Sequence, residues 1–252
     1  MKINLKTILA GSALSTVGLL SVMVVNTVLT TSKQINVAAV EKAQVNSALV
    51  AEHFSNALKF KTISDPALFN GDTFTQFHQF LQDTYPLTHK LLKREVVNDY
   101  SLLYTWQGTD KNIKPMQLMG HFDAAPTEKG VDKQWTHAPF SGAISDGYVW
   151  GRGAMHSKLN VITILESVEL LLAQGYTPTR TIYLAFGHDD DILGEQGAKK
   201  IGELLESRGV ELEYVLEEAG MILDGIIDGV SQPVAQVAVA EKGYLTIELT
   251  SQ

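Results

Sequence analysis

The pattern of apolar and polar positions changes along the chain, and its first section is a long uncharged run near the N-terminus. The apolar part of this run extends from Ile8 to about Leu29, and Lys2 and Lys6 precede it. A membrane-spanning helix needs about 20 apolar residues, whereas the apolar region of a secretory signal has about 7–15. The length therefore favours a signal anchor over residues 1–35, with a signal peptide as the alternative. Because lysines mark the cytoplasmic side, we expect the rest of the chain to be membrane-anchored on the extracytoplasmic side, or secreted or periplasmic.

Beyond residue 40 the apolar positions follow a helical period and then an alternation of strands and helices. Val40–Leu58 is typical of an amphipathic helix, and 74–92 predicts a second helix that Pro86 interrupts. Short apolar runs predict strands at 100–106, 115–119, 148–150, 181–186 and 212–216, and two more within 232–250. Helices are predicted between the later strands, at 161–172 and 194–208. This alternation indicates an α/β domain over residues 40–252, with a largely parallel sheet flanked by helices.

The composition limits the chemistry that this domain can support. The 252 residues include no cysteine, which excludes disulfides, thiolate catalysis and cysteine-ligated metals. With 20 basic and 28 acidic side chains the net charge is −8, and the absence of a basic run argues against a nucleic-acid partner. Any metal site must therefore be built from His, Asp and Glu.

Histidines and carboxylates follow four consecutive predicted strands. They are His121 with Asp123, then His156, then the run His188–Asp191, and finally Glu217 with Glu218. Ligands of open α/β sheets bind beyond the carboxyl ends of the strands. Each motif alone has an ordinary explanation, such as a surface pair, a solvated loop or an acidic helix start. Together, however, so many carboxylates at one sheet edge need a cation to balance their charge.

These motifs resemble those of the di-zinc exopeptidase and aminoacylase family. That family includes carboxypeptidase S, Gly-Xaa carboxypeptidase, glutamate carboxypeptidase and N-acyl-amino-acid hydrolases. The resemblance is densest at Met119-Gly120-His121-Phe122-Asp123-Ala124-Ala125-Pro126 and at Asp146-Gly147-Tyr148-Val149-Trp150-Gly151-Arg152-Gly153-Ala154. It continues through Phe186-Gly187-His188-Asp189 and Ala240-Glu241-Lys242-Gly243-Tyr244. The anchored start is most similar to the carboxypeptidase S branch.

The resemblance implies a fold, a cofactor and a set of site residues. Members of the family hold two zinc ions, and a carboxylate base activates the attacking water. Carried over by position, the resemblance implies that Asp123 and Asp190 are catalytic, Asp123 as the partner that orients His121 and Asp190 as the base. It implies four zinc ligands: His121, His156, Asp191 and Glu217.

The chain departs from the family pattern at four of these positions. His156 stands where the family has an aspartate that bridges both metals. Because a neutral imidazole offers one lone pair, this change favours a single metal or a distorted pair. Asp190 and Asp191 stand in place of glutamates, and Glu217 in place of an aspartate. The shorter Asp190 withdraws the base, and a misplacement of about 1 Å can cost about 10²-fold in rate.

The resemblance also implies parts that these 252 residues do not contain. The family inserts a lid or dimerisation domain after the strand at Glu241-Lys242-Gly243-Tyr244 and returns to supply a final histidine ligand. Because the sequence ends at Gln252, we expect a metallopeptidase-like catalytic domain that is incomplete at its C-terminus, with impaired activity for this chain alone.

We therefore predict a zinc-dependent metallo-exopeptidase of the carboxypeptidase or N-acyl-amino-acid hydrolase type. Its substrates would be small peptides or N-acyl amino acids, and its N-terminal segment would contact the membrane. One alternative is a non-catalytic, metal- or ligand-binding remnant of the same fold, and another is an α/β binding protein that holds no metal. The sequence predicts no oligomeric state.

Overall fold

A computed structural model describes residues 5–31, 37–38, 40–128, 130–218, 220–240 and 247–250. The chain divides into two compact units, Met1–Gln44 and Val45–Gln252. The first unit contains helix α1 (Leu5–Leu29), of which Gly11–Leu29 is long and apolar enough to cross a bilayer. A signal sequence near the N-terminus has the same character, so α1 is compatible with both predicted alternatives. Lys2, on which the predicted orientation depends, lies outside the described residues.

Hydroxyl side chains in α1 bond to the backbone of the same helix. Thr16, Ser21 and Thr27 each donate to the carbonyl oxygen four residues earlier, at 2.8–2.9 Å. These bonds satisfy the polar groups within the helix itself, which lets an apolar helix carry serine and threonine.

The described helices of the second unit are α2 (Ser47–Leu58), α3 (Gly71–Thr84), α4 (Pro86–Leu91), α5 (Leu159–Ala173) and α6 (Ala198–Ser207). Helix α2 begins later than the predicted start at Val40, because Asn46 caps it: its side-chain oxygen accepts a bond from the Leu49 amide at 3.2 Å. Pro86 separates α3 from α4 as predicted, and it occupies the first turn of α4, where a missing N–H is tolerated.

The described strands are β1 (Lys93–Val97), β2 (Ser101–Trp106), β3 (Met116–His121), β4 (Ala143–Ser145), β5 (Tyr148–Trp150), β6 (Ile182–Gly187), β7 (Tyr214–Leu216), β8 (Ile222–Leu223) and β9 (Val234–Ala235). The main sheet has the order β1-β2-β6-β3-β7, and β4–β5 and β8–β9 form separate hairpins. Of the predicted strand pair within 232–250, the described residues form only β9. The stretch Glu241-Lys242-Gly243-Tyr244 lies outside the described residues.

The main sheet is mixed, and this confirms the α/β class with one refinement. β3 pairs in parallel with β6 and β7, whereas β2 is antiparallel to both β1 and β6. Four of the five strands therefore share one direction, and only β2 opposes them. The reason is local: Asn98 and Asp99, both at positive φ (49° and 69°), turn β1 directly into β2 as a hairpin.

Helices cover both faces of the sheet. On one face, α5 packs through Val161, Ile162 and Leu165 against a cluster that includes Leu184 and Phe186 of β6. On the other face, α6 packs through Ile201 and Leu205 against Leu103 and Ala185. Neighbouring β6 residues serve opposite faces, as the alternation of side chains along a strand requires. This layered core fixes the strand ends from which the site is built.

The last strand of the main sheet, β7, is short and exposed. Among the described residues it pairs with β3 alone, and Tyr214, Val215 and Leu216 are each about half exposed. The strands nearest the centre are fully covered by contrast, with Leu184 and Phe186 at 0% exposure. The sheet is therefore well buried on the β2–β6 side and open on the β7 side.

Candidate metal centre

The site lies at the carboxyl ends of the three parallel strands. β3 ends at His121, which pairs in register with Gly187 at the end of β6. The acidic turn Asp190–Ile192 follows β6, and Glu218 follows β7. Because parallel strands end at the same edge, the sheet brings these chain segments together as the sequence predicts.

His121 and Asp123 form the buried part of the site. Nδ1 of His121 lies 2.9 Å from Oδ1 of Asp123, and the two side chains are 2% and 0% exposed. The other ring nitrogen, Nε2, is buried and makes no hydrogen bond of its own within the described part of the chain. It lies 3.2 Å from a carboxylate oxygen of Glu218 and 3.7 Å from one of Asp190. A buried nitrogen aimed at two carboxylates is the arrangement expected of a metal ligand.

Electrostatics show how strongly this pocket attracts positive charge. Burial alone lowers the pKa of His121, but the hydrogen bond with Asp123 and the contact with Glu218 outweigh burial and raise the pKa to about 10. Burial likewise raises the pKa of Asp123, yet its bond with His121 holds that pKa below its usual value. The pocket therefore keeps a cation, either a proton on His121 or a metal ion.

Asp123 also holds the acidic turn that follows β6. Its two carboxylate oxygens accept bonds from the backbone amides of Asp190 and Asp191, both at 3.1 Å. Asp123 thus orients His121 and fixes the position of two further carboxylates. Partial burial raises the pKa of both Asp190 and Asp191, and the neighbouring carboxylates raise it further.

His156 completes the site from a different segment. Gly153, at φ 74°, turns the chain after β5, and the segment Ala154–Lys158 carries His156 to the mouth of the pocket. The His156 and His121 rings meet edge to face, with centroids 4.7 Å apart. Nδ1 of His156 lies 3.5 Å from Glu218 and Nε2 lies 3.9 Å from Asp191. Its side chain is 66% exposed, in contrast to that of His121.

Two groups of side chains could bind a metal ion, and within each group all the ligand atoms lie within 4.8 Å of one another. They are His121, His156, Asp190 and Glu218, and His121, Asp123 and Asp191. Five of the six residues predicted from the sequence therefore lie in one of the two groups. Two imidazoles with several carboxylates form a donor set that zinc accepts, so the residues present fit the metal that the resemblance implies.

The structure differs from the sequence prediction at one acidic position. Glu217 is exposed and belongs to neither group, whereas Glu218 is among the ligand atoms. The chain bends at Glu218, just beyond β7, and this residue is less exposed than Glu217. Nδ2 of Asn160, in the first turn of α5, donates to Oε2 of Glu218 at 3.3 Å and leaves Oε1 directed at His121 and His156. The pair Glu217-Glu218 gave no sequence signal that separates its two members.

Comparison with known proteins places the chain in a family. The sequence profile of peptidase family M20/M25/M40 matches residues 117–247. The probable carboxypeptidase S-like 2 of Dictyostelium discoideum is 41% identical over 246 residues, which cover 93% of this chain and 47% of that protein. The N-fatty-acyl-amino acid synthase/hydrolase PM20D1 of Xenopus tropicalis is 39% identical over 213 residues, which cover 83% of this chain and 41% of that protein. The chain thus spans less than half the length of these curated relatives.

Solved structures show the same fold. The M20 family metallo-carboxypeptidase Sso-CP2 of Sulfolobus solfataricus aligns with a TM-score of 0.53 at 18% identity, over 70% of this chain and 38% of that one. Human carnosine dipeptidase 1 aligns with a TM-score of 0.51, also at 18% identity, over 69% of this chain and 39% of that one. The family is zinc-dependent, in agreement with the ligand groups described above. The resemblance predicted from the sequence is confirmed: the chain belongs to peptidase family M20/M25/M40.

Proposed function

We propose that this chain is the catalytic portion of a zinc-dependent hydrolase that cleaves the amide bond of a peptide or an N-acyl amino acid. The observation that carries the proposal is the convergence of His121, His156, Asp190 and Glu218 at the carboxyl edge of the sheet. Membership of peptidase family M20/M25/M40 supports the reaction class. The names of the relatives, a carboxypeptidase S-like protein and an N-fatty-acyl-amino acid synthase/hydrolase, support the two substrate classes.

Some residues of the site would be metal ligands, and others would orient those ligands. His121, His156 and Asp191 would bind zinc, with Glu218 as the acidic ligand that the geometry favours and Glu217 as the one that the sequence resemblance favours. When bound, zinc polarises a substrate carbonyl and lowers the pKa of water. Asp123 keeps the His121 ring in place through the 2.9 Å contact with Nδ1 and so leaves Nε2 free to bind.

Asp190 is the proposed general base. Its side chain is 46% exposed at the mouth of the pocket, and one of its oxygens lies 3.7 Å from Nε2 of His121. Burial raises the pKa of Asp190, which strengthens it as a proton acceptor once it is ionised. An aspartate reaches less far than a glutamate, so we expect slow turnover, with a loss of about 10²-fold if the base is misplaced by about 1 Å.

A second function is favoured by one specific observation. His156 is 66% exposed, and its two nitrogens face different carboxylates at 3.5 and 3.9 Å, so it does not form a compact bridge. This arrangement favours a domain that binds one metal ion without rapid catalysis. Such a protein would retain zinc and hydrolyse no amide.

We also infer that α1 anchors the chain in a membrane, with the second unit on the extracytoplasmic side. The length and apolar character of Gly11–Leu29 support this proposal. Carbonate extraction of membranes is the test. The anchored chain stays in the pellet at full length, whereas a cleaved signal peptide releases a chain that lacks α1.

The experiment that tests the function measures zinc and turnover in one preparation. The chain is loaded with zinc and freed of excess metal, and its zinc content and hydrolysis of dipeptides and N-acyl amino acids are then measured. Slow hydrolysis that chelation abolishes and zinc restores supports the hydrolase. Retained zinc without hydrolysis supports the binding function, and a chain that retains no zinc contradicts both.

A further inference from the structure

Lys158 is a fully buried lysine close to the metal centre. Its side chain is 0% exposed, and its amino group forms no ion pair within 4.0 Å among the residues that the structure describes, although the charge of Asp123 acts on it. Lysine is almost never fully buried unless it is paired, because transfer of an ammonium group out of water is costly. Accordingly, burial lowers the pKa of Lys158 to about 7. The buried amino group of Lys158 must therefore be stabilised by hydrogen bonds to other groups.

The partners of Lys158 are backbone carbonyls at the end of α2. Nζ donates to the Phe60 oxygen at 2.6 Å and to the Ala57 oxygen at 3.3 Å, and it lies 5.3 Å from the centre of the Phe77 ring. The last carbonyls of a helix lack their usual helical donors; the Ala57 oxygen also accepts from the Phe60 amide at 3.4 Å, and the amino group of Lys158 adds a further bond. The two bonds from Nζ need only two N–H donors, which the amino group offers in either protonation state.

The same stretch of chain also holds the His121 segment. Thr62 donates its hydroxyl to the Phe122 carbonyl at 2.5 Å, and the Ala124 amide donates to the Thr62 carbonyl at 2.9 Å. Residues 57–62, which we call the α2 brace, therefore bond to the residues on both sides of Asp123. Through Lys158 the α2 brace also bonds to the segment that carries His156. One short stretch of chain thus connects the two histidine-bearing segments of the site.

The His156 segment has few other fixed contacts. Lys158 lies two residues beyond His156, and its own amide donates to the Gly153 carbonyl at 3.0 Å. Ser157 is buried, and its hydroxyl lies 3.3 Å from the His121 amide. His156 itself, 66% exposed, is held by no contact shorter than 3.5 Å among its carboxylate neighbours. The position of its ring therefore depends on the backbone on either side of it.

We propose that Lys158 is a positioning residue of the metal centre, which fixes the His156 segment to the α2 brace so that the two histidines face one pocket. This inference rests on the proposed function, since it assigns Lys158 a role in zinc binding. Lys158 itself touches neither His121 nor His156 and acts through the backbone. The rival explanation is that Lys158 serves only the stability of the fold.

Replacement by methionine separates the two explanations. Lys158→Met keeps the length and apolar stem of the side chain but removes both donors. A buried polar group replaced by an apolar one of similar shape often leaves stability unchanged or higher, although the Ala57 and Phe60 carbonyls lose a partner here. A positioning role predicts weaker zinc binding in the full-length chain, by about 10-fold or more, as for other residues that orient metal ligands. Zinc affinity is measured by competition with a chelating dye, and the absorption spectrum of bound Co²⁺ reports ligand geometry.

A matched control comes from α5, the helix that begins directly after Lys158. Val168 lies in α5, about 15 Å along the helix from Lys158, and is 3% exposed; Val168→Ala creates a small cavity that lowers the melting temperature. We expect this variant to lose stability but to keep its zinc affinity and Co²⁺ spectrum. Lys158→Arg is a second variant, which retains N–H donors but places them on a larger, planar group that this fully buried position cannot hold without a shift of the His156 segment. If the methionine variant fails to fold, we expect the arginine variant to fold and to bind zinc more weakly than the wild type because of that shift.

The outcomes distinguish this inference from the proposed function. A changed Co²⁺ spectrum and weaker zinc binding in Lys158→Met, with both unaltered in Val168→Ala, support the positioning role. If Lys158→Met binds zinc as tightly as the wild type, the positioning role is overturned and the proposed function stays intact. The same conclusion follows from wild-type affinity in Lys158→Arg if only that variant folds. A wild-type chain that binds no zinc overturns both.

Discussion

The rings of His121 and His156, the two histidines of the candidate metal centre, have centroids 4.7 Å apart. The protein nevertheless holds the two rings in very different ways. His121 is 2% exposed, bonds to a buried aspartate and stands at the end of a central strand. His156 is 66% exposed and follows a glycine turn, with carboxylate contacts of 3.5 Å or more. We call His121 with Asp123 the inner half of the site. His156 with Asp190, Asp191 and Glu218 forms the outer half. The inner half is therefore fixed by buried side-chain contacts, whereas the outer half is fixed mainly through its backbone.

The charges of the two halves differ in the same way. In the inner half, the bond between His121 and Asp123 raises one pKa and lowers the other, so the pair is a stable ion pair without metal. In the outer half, burial raises the pKa of Asp190 and Asp191, so ionisation of both is unfavourable without a nearby cation. The outer half therefore depends more on the metal than the inner half does.

The largest expected effect is the loss of the inner histidine. His121→Ala removes the ligand common to both candidate groups and leaves Asp123 buried without its ring partner, so we expect zinc affinity to fall by more than about 100-fold. His188→Ala is the matched control, because His188 is also buried and its ring contacts Ser101 rather than the pocket. Zinc content after dialysis is the measurement, and equal losses from the two variants would show that the centre is misplaced.

A smaller effect tests which glutamate serves the outer half. Glu218→Gln removes the charge that faces both histidines, and we expect zinc affinity to fall by about 10-fold. Glu217→Gln alters the adjacent glutamate, which lies in neither candidate group among the described residues, and we expect a smaller loss of zinc affinity than for Glu218→Gln. Dye competition measures both affinities. The reverse ranking would mean that the correspondence drawn from the family is correct and that the bend at Glu218 shifts when metal binds.

A separate expected effect, on stability rather than on metal affinity, is a pH dependence of the metal-free chain. The pKa of His121 rises from its usual 6.5 to about 10 on folding, so its contribution to stability is fully present below pH 6.5 and is lost as the pH rises through 10. The depressed pKa of Asp123 contributes stability above its usual pKa, and this is lost as the pH falls. We expect the melting temperature in the presence of a chelator to decrease between pH 7 and 10.

His121→Gln provides the control for this pH dependence. The variant lacks the titrating ring, so its melting temperature should decrease less over the same range. Identical pH profiles for the wild type and the variant would contradict the raised pKa. Zinc competes with the proton on His121, so zinc affinity of the wild type is expected to increase over this range.

Much of the fold could be predicted from residue patterns, and one missed strand shows why the rest could not. Buried strands such as Ile182–Gly187 are continuous apolar runs, so their position is evident from the sequence. β1, with the sequence Lys-Arg-Glu-Val-Val, is an edge strand that carries three charged residues. Its strand structure follows from pairing with β2 through the Asn98–Asp99 turn, not from its own composition.

The site shows the same division between local pattern and tertiary context. That His121 and Asp191 approach one pocket follows from their places after the parallel strands β3 and β6, whereas His156 follows β5 of a separate antiparallel hairpin. The choice between Glu217 and Glu218 depends on where the chain bends after β7, a difference of one residue that no pattern marks. The buried position of Lys158 depends on where α2 ends, far away in sequence. Strand order therefore predicts which segments meet, whereas loop geometry decides which atoms meet.

X-ray absorption at the zinc edge tests the central claim most directly, because it counts the imidazole ligands of the bound metal. We expect zinc in the wild-type chain of 252 residues to show scattering from two imidazoles, with zinc–nitrogen distances of about 2.0–2.1 Å. His156→Ala should then retain zinc with one imidazole, since the inner half remains, and His121→Ala should retain little zinc. Two imidazoles in the His156→Ala variant, or none in the wild type, would contradict the claim that the inner and outer halves form a single metal centre.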